Sequence, residues 1–295
     1  MIGNTILLAL REIRRNVLRS FLTILGIVIG VGAVITMVTI GGGATLQVQQ
    51  QIASMGSNLL MLSPGKRMGP GQASVASSFK EADVQAIAAE VSDIAAVAPL
   101  STSSLKAIWG NQNWSTSVAG TDNQYLRISN RVLRTGRTFN DGELRVGAAV
   151  CIIGDTVKRK LFGAQDPLGA RVRLQNFSCE VVGLLEGKGQ SGMGQDQDDL
   201  VVIPIRTFQR RIAGNQDVAL VQISVREGAS TDKAKRDIER LMRERRHLGP
   251  SDEDNFNVMD MKEIANMLTG TTRMLTALLS AVAAVSLLVG GIGIM

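Results

Sequence analysis

Two long, uncharged and apolar segments near the two ends of the 295-residue chain constrain its fold more than any other feature. The first lies within 20–65, which contains no charged residue, and twelve of the twenty residues of Phe21–Ile40 are Phe, Leu, Ile or Val. Twenty helical residues at about 1.5 Å each cover the roughly 30 Å hydrocarbon core of a bilayer. The second segment, Met274–Met295, is also uncharged. The sequence therefore predicts a membrane protein with two transmembrane helices that flank a polar domain.

Basic residues before the first segment predict how the chain is oriented in the membrane. They are Arg11, Arg14, Arg15 and Arg19. A single acidic residue, Glu12, lies among them, so this segment carries a net charge of +3. Because basic residues close to a span stay on the cytoplasmic side, we expect a cytoplasmic N-terminus and an extracytoplasmic central domain. The arginines also belong to a predicted amphipathic helix that would lie on the lipid bilayer, against its anionic headgroups.

The predicted domain organisation follows from these segments. A cytoplasmic amphipathic elbow helix (1–20) precedes transmembrane helix 1 (21–44), the extracytoplasmic α+β domain with its stalk extensions spans 45–272, and an incomplete transmembrane helix 2 occupies 273–295. A cleavable signal peptide is the alternative to the first span, but its apolar region is usually only about 7–15 residues long. The uncleaved anchor is therefore the preferred interpretation.

Small residues within both spans predict close helix packing. Gly26 and Gly30 form a G-x-x-x-G pattern in the first span, and Ala277, Ala281 and Ala284 form a comparable stripe in the second. Because small residues let helix backbones approach closely in lipid, we expect helix contacts at these positions. Neither span contains an ionisable residue, which argues against an ion or proton path through this part.

The central region alternates between strand and helix patterns, which predicts an α+β domain of two lobes, one from its outer segments and one from its middle. The predicted strands are Asn58–Ser63, Ile94–Trp109, Trp114–Gly120, Ala148–Ile153, Ala170–Leu174, Ser178–Leu185, Leu200–Pro204, Ala219–Arg226 and Phe256–Met259. The second and third of these are expected to pair across Gly110-Asn111. The predicted helices are Lys80–Glu90, Asp155–Phe162, Ile205–Ile212 and Thr231–Arg246. A stalk helix is expected to begin at the pair Asp260 and Glu263, which resembles a capping box.

Two cysteines, Cys151 and Cys179, lie in predicted strands of the external domain, where oxidation can occur. Two separate buried thiols are the preferred interpretation. The alternative is a disulfide, which would close a loop of 27 intervening residues and stabilise the fold by about 3 kcal/mol. The sequence alone leaves both open.

No motif in the chain predicts catalysis, a metal or a cofactor. The segment 187–192 matches G-x-G-x-x-G, but a loop follows it instead of the helix whose N-terminus would hold a pyrophosphate. No P-loop pattern occurs. The single histidine, His247, argues against His-based metal clusters and against a Ser–His–Asp triad. With 3% aromatic residues and basic residues that alternate with acidic ones, nucleic acid is not an expected partner.

The Gly-rich loop 187–199 is predicted to be mobile and exposed. It ends in three acidic residues, Asp196, Asp198 and Asp199. The glycine and glutamate of an EF-hand do not follow them in register, so we interpret them as solvated acids rather than as calcium ligands. Clustered carboxylates resist burial, which supports an exposed loop.

Several stretches of the chain resemble MacB-type (FtsX-like) permeases of ABC transporters. They are NVLRSFLTILGIVIGVGAVITMVTIGGGA (16–44), QIASMGSNLLMLSPG (51–65), IGDTVKRKLFGAQDPLGARVRL (153–174), GQDQDDLVVIPI (194–205) and SAVAAVSLLVGGIGIM (280–295). The resemblance implies an elbow helix, a stalk, an external domain with a porter-like and a second lobe, a homodimer, and an ABC ATPase subunit or domain. It also implies the cell inner membrane as the location. A periplasmic membrane-fusion adaptor is a further implied partner, for which Asp196, Asp198 and Asp199 are the candidate contacts.

The function that the resemblance implies is that of the permease subunit of an exporter. ATP hydrolysis by the partner ATPase would move the extracytoplasmic domain, which would expel substrate (mechanotransmission). The family has four spans per protomer and this sequence ends in the second, so we expect a truncated permease. The alternative from another class is a two-span membrane sensor input module that lacks its cytoplasmic output domain. A sensor of this kind would normally carry a helical bundle or one compact sensing domain between its spans. A macrolide, a peptide, a siderophore or a lipoprotein would each be compatible as substrate.

Overall fold

The computed structural model describes residues 17–55, 58–65, 77–191 and 194–292. The described residues form two compact units, which divide between Gln49 and Gln50 and between Ile264 and Ala265; the first unit contains the two ends of the described chain and the second contains its middle. The predicted elbow helix lies mostly outside the described residues, as do Arg11, Arg14 and Arg15.

Two long helices begin and end the described chain. Helix α1 (Val17–Met55) contains 39 residues and helix α8 (Met261–Ile292) contains 32. In the first unit they approach closely at Gly41, where an added Cβ would lie 3.3 Å from Thr272 Cγ2 and 3.5 Å from Thr276 Oγ1. Among the described residues, no helix combines the length and the apolar character that crossing a membrane requires.

All the strands and the remaining helices belong to the second unit. The strands are β1 (Leu59–Pro64), β2 (Ile94–Trp109), β3 (Gln112–Thr121), β4 (Leu133–Gly136), β5 (Val150–Ile153), β6 (Arg171–Leu174), β7 (Phe177–Leu185), β8 (Leu200–Pro204), β9 (Leu220–Val225) and β10 (Phe256–Asp260). The helices are α2 (Glu81–Glu90), α3 (Asn123–Ile128), α4 (Asp141–Val146), α5 (Asp155–Phe162), α6 (Ile205–Phe208) and α7 (Thr231–Arg245). A π-helical turn (Gln209–Ala213) follows α6.

The outer segments of this unit form a four-stranded region, in which the antiparallel order is β10–β1–β9–β2. With α2 and α7 this order makes two split βαβ motifs, β1–α2–β2 and β9–α7–β10. Strand β9 alternates buried and half-buried residues, as a strand with one face on a core does. Helix α7 places Ala234, Ile238, Leu241 and Met242 on one buried face, in the same apolar cluster as the sheet.

The middle of the chain forms a barrel region of six strands. Strand β2 contains 16 residues; its first half pairs with β9, and its second half, from Ser101, pairs with β3 and β6. From β3 the pairing continues through β8, β5, β7 and β6 and returns to β2, so the barrel is closed. The β3–β8 and β5–β7 pairs are parallel and the other four are antiparallel. Its buried cluster includes Ala107, Val118, Ile153, Val172, Leu174, Val181, Val201 and Ile203, with Val157, Leu161 and Phe162 of α5.

A disulfide bond joins Cys151 of β5 to Cys179 of β7, with a Cα–Cα distance of 5.7 Å. The preferred interpretation of two separate thiols is therefore wrong. Cys151 lies opposite Val181 in the parallel β5–β7 pair, so Cys179, two residues earlier in β7, lies diagonally across on the same face. Both cysteines are buried. The register between two strands that are distant in sequence decides this pairing, and no local pattern encodes it.

The hairpin predicted across Gly110-Asn111 is confirmed. Trp109 pairs with Gln112, and the antiparallel ladder continues to the pair Ser101 and Gly120. A two-residue turn of this composition is a strong hairpin signal because glycine and asparagine tolerate the positive φ that such turns need. Gly110 indeed has φ +56°.

Three short elements were missed by the sequence analysis: α3, β4 and α4. Two of them begin with capping side chains, since Asp122 accepts the N–H groups of Gln124 and Tyr125, and Asn140 forms a capping box with Glu143. Four to six residues are too few to show an apolar period, so the caps were the available signal. The predicted helix over 205–212 is α-helical only to Phe208 and continues as the π-helical turn.

Candidate functional site

Strands β1 and β10 of the second unit form the first candidate functional site. Strand β1 begins four residues after the end of α1, and α8 begins directly after β10. Strands β1 and β10 pair over five positions, from Leu60–Asp260 to Pro64–Phe256. The chain therefore enters and leaves the four-stranded region through two neighbouring strands that are hydrogen-bonded to each other.

Polar contacts hold the first turn of α8, which belongs to the second unit. Asp260 is 2% exposed, and its Oδ1 accepts a hydrogen bond from the N–H of Lys262 at 2.7 Å. Glu263, also in the first turn of α8, forms an ion pair with Lys235 of α7 at 2.9 Å. The predicted helix start at Asp260 is confirmed. The contact with Lys235 ties the start of α8 to the helix that covers the sheet.

The predicted acidic loop 187–199 folds back on itself as a hairpin. Gln190 bridges to Asp196, and the N–H of Gln197 donates to Gly189 O at 3.1 Å. Residues 192 and 193 lie outside the described part of the chain.

Asp198 is buried in this hairpin, with 4% of its surface exposed. Its two carboxylate oxygens accept the backbone N–H groups of Lys188 at 2.8 Å and Gly189 at 2.7 Å. The expectation of a solvated carboxylate is therefore wrong for Asp198. Two backbone donors replace water, so the carboxylate can be buried without losing its hydrogen bonds.

The other two carboxylates connect the hairpin to the barrel region. Asp196 Oδ2 accepts a hydrogen bond from Thr156 Oγ1 at 2.6 Å, and Asp199 Oδ1 accepts one from Trp114 Nε1 at 3.0 Å. Asp199 is half-buried and Asp196 is exposed. Of the three candidates for an adaptor contact, Asp196 is thus the most exposed.

The small residues of the predicted spans lie in the long helices. Gly26 and Gly30 belong to α1, and Ala277, Ala281 and Ala284 belong to α8. An added Cβ at Gly30 would meet no described atom within 4 Å, and the three alanines are exposed. Within the chain, the helices approach each other at Gly41 instead.

A groove that the sequence analysis missed lies between the start of α2 and the π-helical turn, with a volume of about 670 Å³. Two of its lining residues, Lys80 and Arg206, are held in ion pairs. Arg206 Nη2 lies 3.0 Å from Glu81 Oε2, and Lys80 Nζ lies 2.5 Å from Asp217 Oδ1. The groove brings together segments more than one hundred residues apart in sequence, so no single motif could have shown it.

A smaller cavity of about 220 Å³ adjoins the groove, and its polar lining includes Glu81, Asp122, Arg145 and Arg206. Asp122 Oδ1 accepts the N–H of Gln124 at 2.9 Å. Burial raises the pKa of the Asp122 carboxyl to about 6, and hydrogen bonds from backbone N–H groups oppose the rise. At neutral pH the Asp122 carboxyl group is therefore ionised while buried, which lowers the free energy of unfolding.

Replacing Asp122 with asparagine is expected to stabilise the chain by about 2 kcal/mol at about pH 8 and to change little at about pH 4. Because the folded state raises the pKa of Asp122, its contribution to stability is present below about pH 4 and is lost as the pH rises through 6. Asparagine keeps the capping oxygen and does not ionise. Urea unfolding at both pH values measures the difference, and an equal effect at the two would contradict it.

Solved structures identify the fold of the second unit. The periplasmic region of MacB from Actinobacillus actinomycetemcomitans matches with a TM-score of 0.63 and 18% identity, over 75% of this chain and 97% of that one. The extracellular domain of the noncanonic ABC-type transporter YknZ from Gram-positive bacteria matches with a TM-score of 0.56 and 20% identity, over 68% of this chain and 100% of that one. The second unit thus shares the α+β fold of these two domains.

Sequence comparison assigns the family. Residues 20–241 match the MacB-like periplasmic core domain. The chain therefore belongs to the family of MacB-type (FtsX-like) ABC transporter permeases.

Relatives that bear the name macrolide export ATP-binding/permease protein MacB include those of three bacteria. The protein of Syntrophobacter fumaroxidans is 33% identical over 97% of this chain and 48% of its own length. The protein of Bdellovibrio bacteriovorus is 37% identical over 95% of this chain and 44% of its own length. The protein of Rhodospirillum rubrum is 36% identical over 99% of this chain and 44% of its own length. The chain spans about half the length of the curated relatives it matches.

Proposed function

We propose that this chain is the permease part of an ABC-type exporter, in which ATP hydrolysis by a partner ATPase moves the extracytoplasmic domain and expels substrate. The observation that carries the proposal is the pairing of β1 with β10 between the end of α1 and the start of α8. The names of the relatives support the export class and an ATP-binding partner region.

The pairing would make β1 and β10 a single mechanical element. The two strands contribute Leu60, Leu62, Phe256 and Val258 to one buried core. A slip of one residue would turn these side chains to the opposite face of the sheet, so sliding of one strand past the other is costly. Movement of α1 and α8 would therefore displace both strands with the sheet. Such a transmission needs no catalytic residue in this chain.

From the sequence, and not from the described helices, we propose that Phe21–Ile40 and the segment from Met274 onward cross the cell inner membrane. The uncharged sequence supports this, and so do the large apolar side chains that α1 and α8 expose, including Phe21, Val28, Ile35, Met274, Leu278 and Val285. Side chains of this kind require apolar surroundings. The arginines that precede the first span support a cytoplasmic N-terminus and an extracytoplasmic second unit.

The partners are proposed from membership of the family. They are a second copy of the chain, an ABC ATPase and a periplasmic membrane-fusion adaptor. The open space at Gly30 is suited to close approach by a helix of the second copy. The four-stranded region would be the porter-like lobe and the barrel region the second lobe. Asp196, exposed on its hairpin, remains the candidate for the adaptor contact.

Labelling of single cysteines tests the orientation on which this function depends. In intact cells, a membrane-impermeant maleimide should label a cysteine placed at Ser77 and should label one placed at Asn4 only after the cells are opened. Cys151 and Cys179 should stay unlabelled in both cases, because their sulfurs are joined and buried. Labelling of Asn4→Cys but not of Ser77→Cys in intact cells would contradict the proposed function.

Coupling to ATP is tested in membrane vesicles that hold the chain and its ATPase. ATP, but not a non-hydrolysable analogue, should change the fluorescence of an environment-sensitive dye on Ser77→Cys. A signal that stays constant while ATP is hydrolysed would rule out transmission of movement to this domain.

A further inference from the structure

The cavity of about 220 Å³ at Asp122 lies where the four-stranded region meets the barrel region. Helix α2 and β2 line it on one side, and the N-cap of α3, α4 and α6 line it on the other. Val84 of α2 belongs to the apolar cluster of the four-stranded region, and Phe208 of α6 belongs to that of the barrel region. A movement of α2 away from α6 would therefore open this cavity to water.

Three charged side chains share the cavity with Asp122. They are Glu81 of α2, Arg145 of α4 and Arg206 of α6, whereas β2 contributes Pro99, which does not titrate. The guanidinium of Arg206 donates to Glu81 Oε2 at 3.0 Å and to the backbone oxygen of Arg145 at 2.7 Å. Within the described part of the chain, Asp122 forms no ion pair. An ionised Asp122 therefore meets the like charge of Glu81 without a cation bound to its own carboxylate.

The contact that closes the cavity is one that can open at a small cost. The ion pair between Arg206 and Glu81 joins its two sides, and both side chains are partly exposed. Ion pairs of this kind contribute little to stability, because water competes for both partners. A change in the charge of a neighbouring group can therefore shift the balance between closed and open.

We propose that Asp122 makes the contact between α2 and α6 sensitive to protons, so that the cavity is closed while Asp122 is protonated and opens more often once it is ionised. Ionisation adds repulsion from Glu81 and favours a conformation in which water surrounds the carboxylate. The pH response is a property of the second unit and does not depend on the proposed function. Its meaning for transport does rest on that function, which would expose the contact to the pH outside the cytoplasm.

The direction of the pH response follows from the proton affinity of the two conformations. Burial, and after it the charge of Glu81, raises the pKa of the Asp122 carboxyl to about 6 against the hydrogen bonds of backbone N–H groups. In an open cavity the carboxyl would return towards its ordinary pKa of about 4. The closed conformation therefore binds the proton more tightly, is favoured below about pH 6, and loses this advantage as the pH rises through 6.

Labelling of a buried thiol with a maleimide, on the full chain in detergent, measures how often the cavity opens. Val84→Cys places the thiol on α2 at a position that lines the cavity and is 8% exposed. Ala89→Cys, at an exposed position of the same helix, gives the rate of an accessible thiol at each pH. The rate for Val84→Cys divided by that for Ala89→Cys should rise about tenfold between about pH 5 and about pH 8.

Two variants of Asp122 remove the charge and keep a capping oxygen. Asp122→Asn and Asp122→Ser should each abolish the rise and keep the rate ratio at or below the parent's value at about pH 5. Asp141→Asn is the matched control, because Asp141 is an exposed carboxylate of α4 that does not line the cavity. This variant should retain the tenfold rise.

A third thiol separates opening of the cavity from unfolding of the whole domain. Val258→Cys lies buried in β10, which does not border the cavity, and it should be labelled more slowly than Val84→Cys at both pH values. Equal labelling of these two thiols, a constant rate ratio in the parent, or a full rise in both Asp122 variants would overturn the proposal. Loss of the rise in Asp141→Asn would overturn it as well.

Discussion

Replacing Gly154 with alanine is expected to lower the free energy of unfolding by about 3 kcal/mol or more. The N–H of Gly154 donates to Leu200 O at 2.8 Å, which places the start of α5 against β8. A Cβ on Gly154 would lie 2.1 Å from the backbone oxygen of Asp198. Because a backbone oxygen cannot rotate away, α5 and the segment before β8 would have to separate. That movement would also disturb the hairpin that Asp198 holds together.

Denaturant unfolding followed by circular dichroism measures the effect, and Gly228→Ala is the matched control. Gly228 has φ +82°, and an added Cβ would have nothing within 4 Å. Alanine there should cost only about 1 kcal/mol, from the left-handed backbone alone. Equal losses at Gly154 and Gly228 would show that the steric contact is not the cause.

Removing the disulfide is expected to lower the free energy of unfolding by about 3–4 kcal/mol. The bond joins residues 28 positions apart, so it excludes many extended conformations of the unfolded chain. Cys151→Ala, Cys179→Ala and the double variant should lose nearly the same stability, because each of them removes the same cross-link. Losses that add in the double variant would indicate two independent buried side chains instead.

Thiol counting gives an independent check on the disulfide. The sequence contains only these two cysteines, so the denatured chain should show no reactive thiol without a reductant and two with it. Reduction in denaturant is required because both residues are buried in the folded protein. Two reactive thiols in the unreduced chain would contradict the disulfide.

Local patterns predicted the elements that depend on local chemistry. The turn at Gly110-Asn111 needs positive φ, the strand Leu220–Val225 alternates in polarity, and the helix start at Asp260 needs a capping oxygen. Each of these signals lies within a few residues, and each is confirmed. The class of the domain, α+β, followed from the alternation of such segments.

Contacts between distant segments account for what sequence reasoning missed. The barrel closes through β6, a strand of four residues that pairs with both β2 and β7. Asp198 is buried because two backbone N–H groups donate to its carboxylate. From the residue type alone, we expected this carboxylate to be exposed to solvent. The groove with Gln209 depends on a π-helical turn, which has no reliable sequence pattern.

The long strand β2 makes the barrel region an insertion within a simpler α+β fold. Residues 101–204 form the barrel, whereas the strands on either side of this segment complete the two split βαβ motifs without it. An inserted region of this kind can diverge or be exchanged between relatives while β1 and β10, which are next to the long helices in the sequence, stay the same. The boundary of the insertion within β2 falls between two consecutive residues of one continuous strand. Leu100 pairs with β9, and Ser101 pairs with β3. A chimera that exchanges the barrel region would therefore have to keep the register of β2 with both β9 and β3 across Leu100 and Ser101.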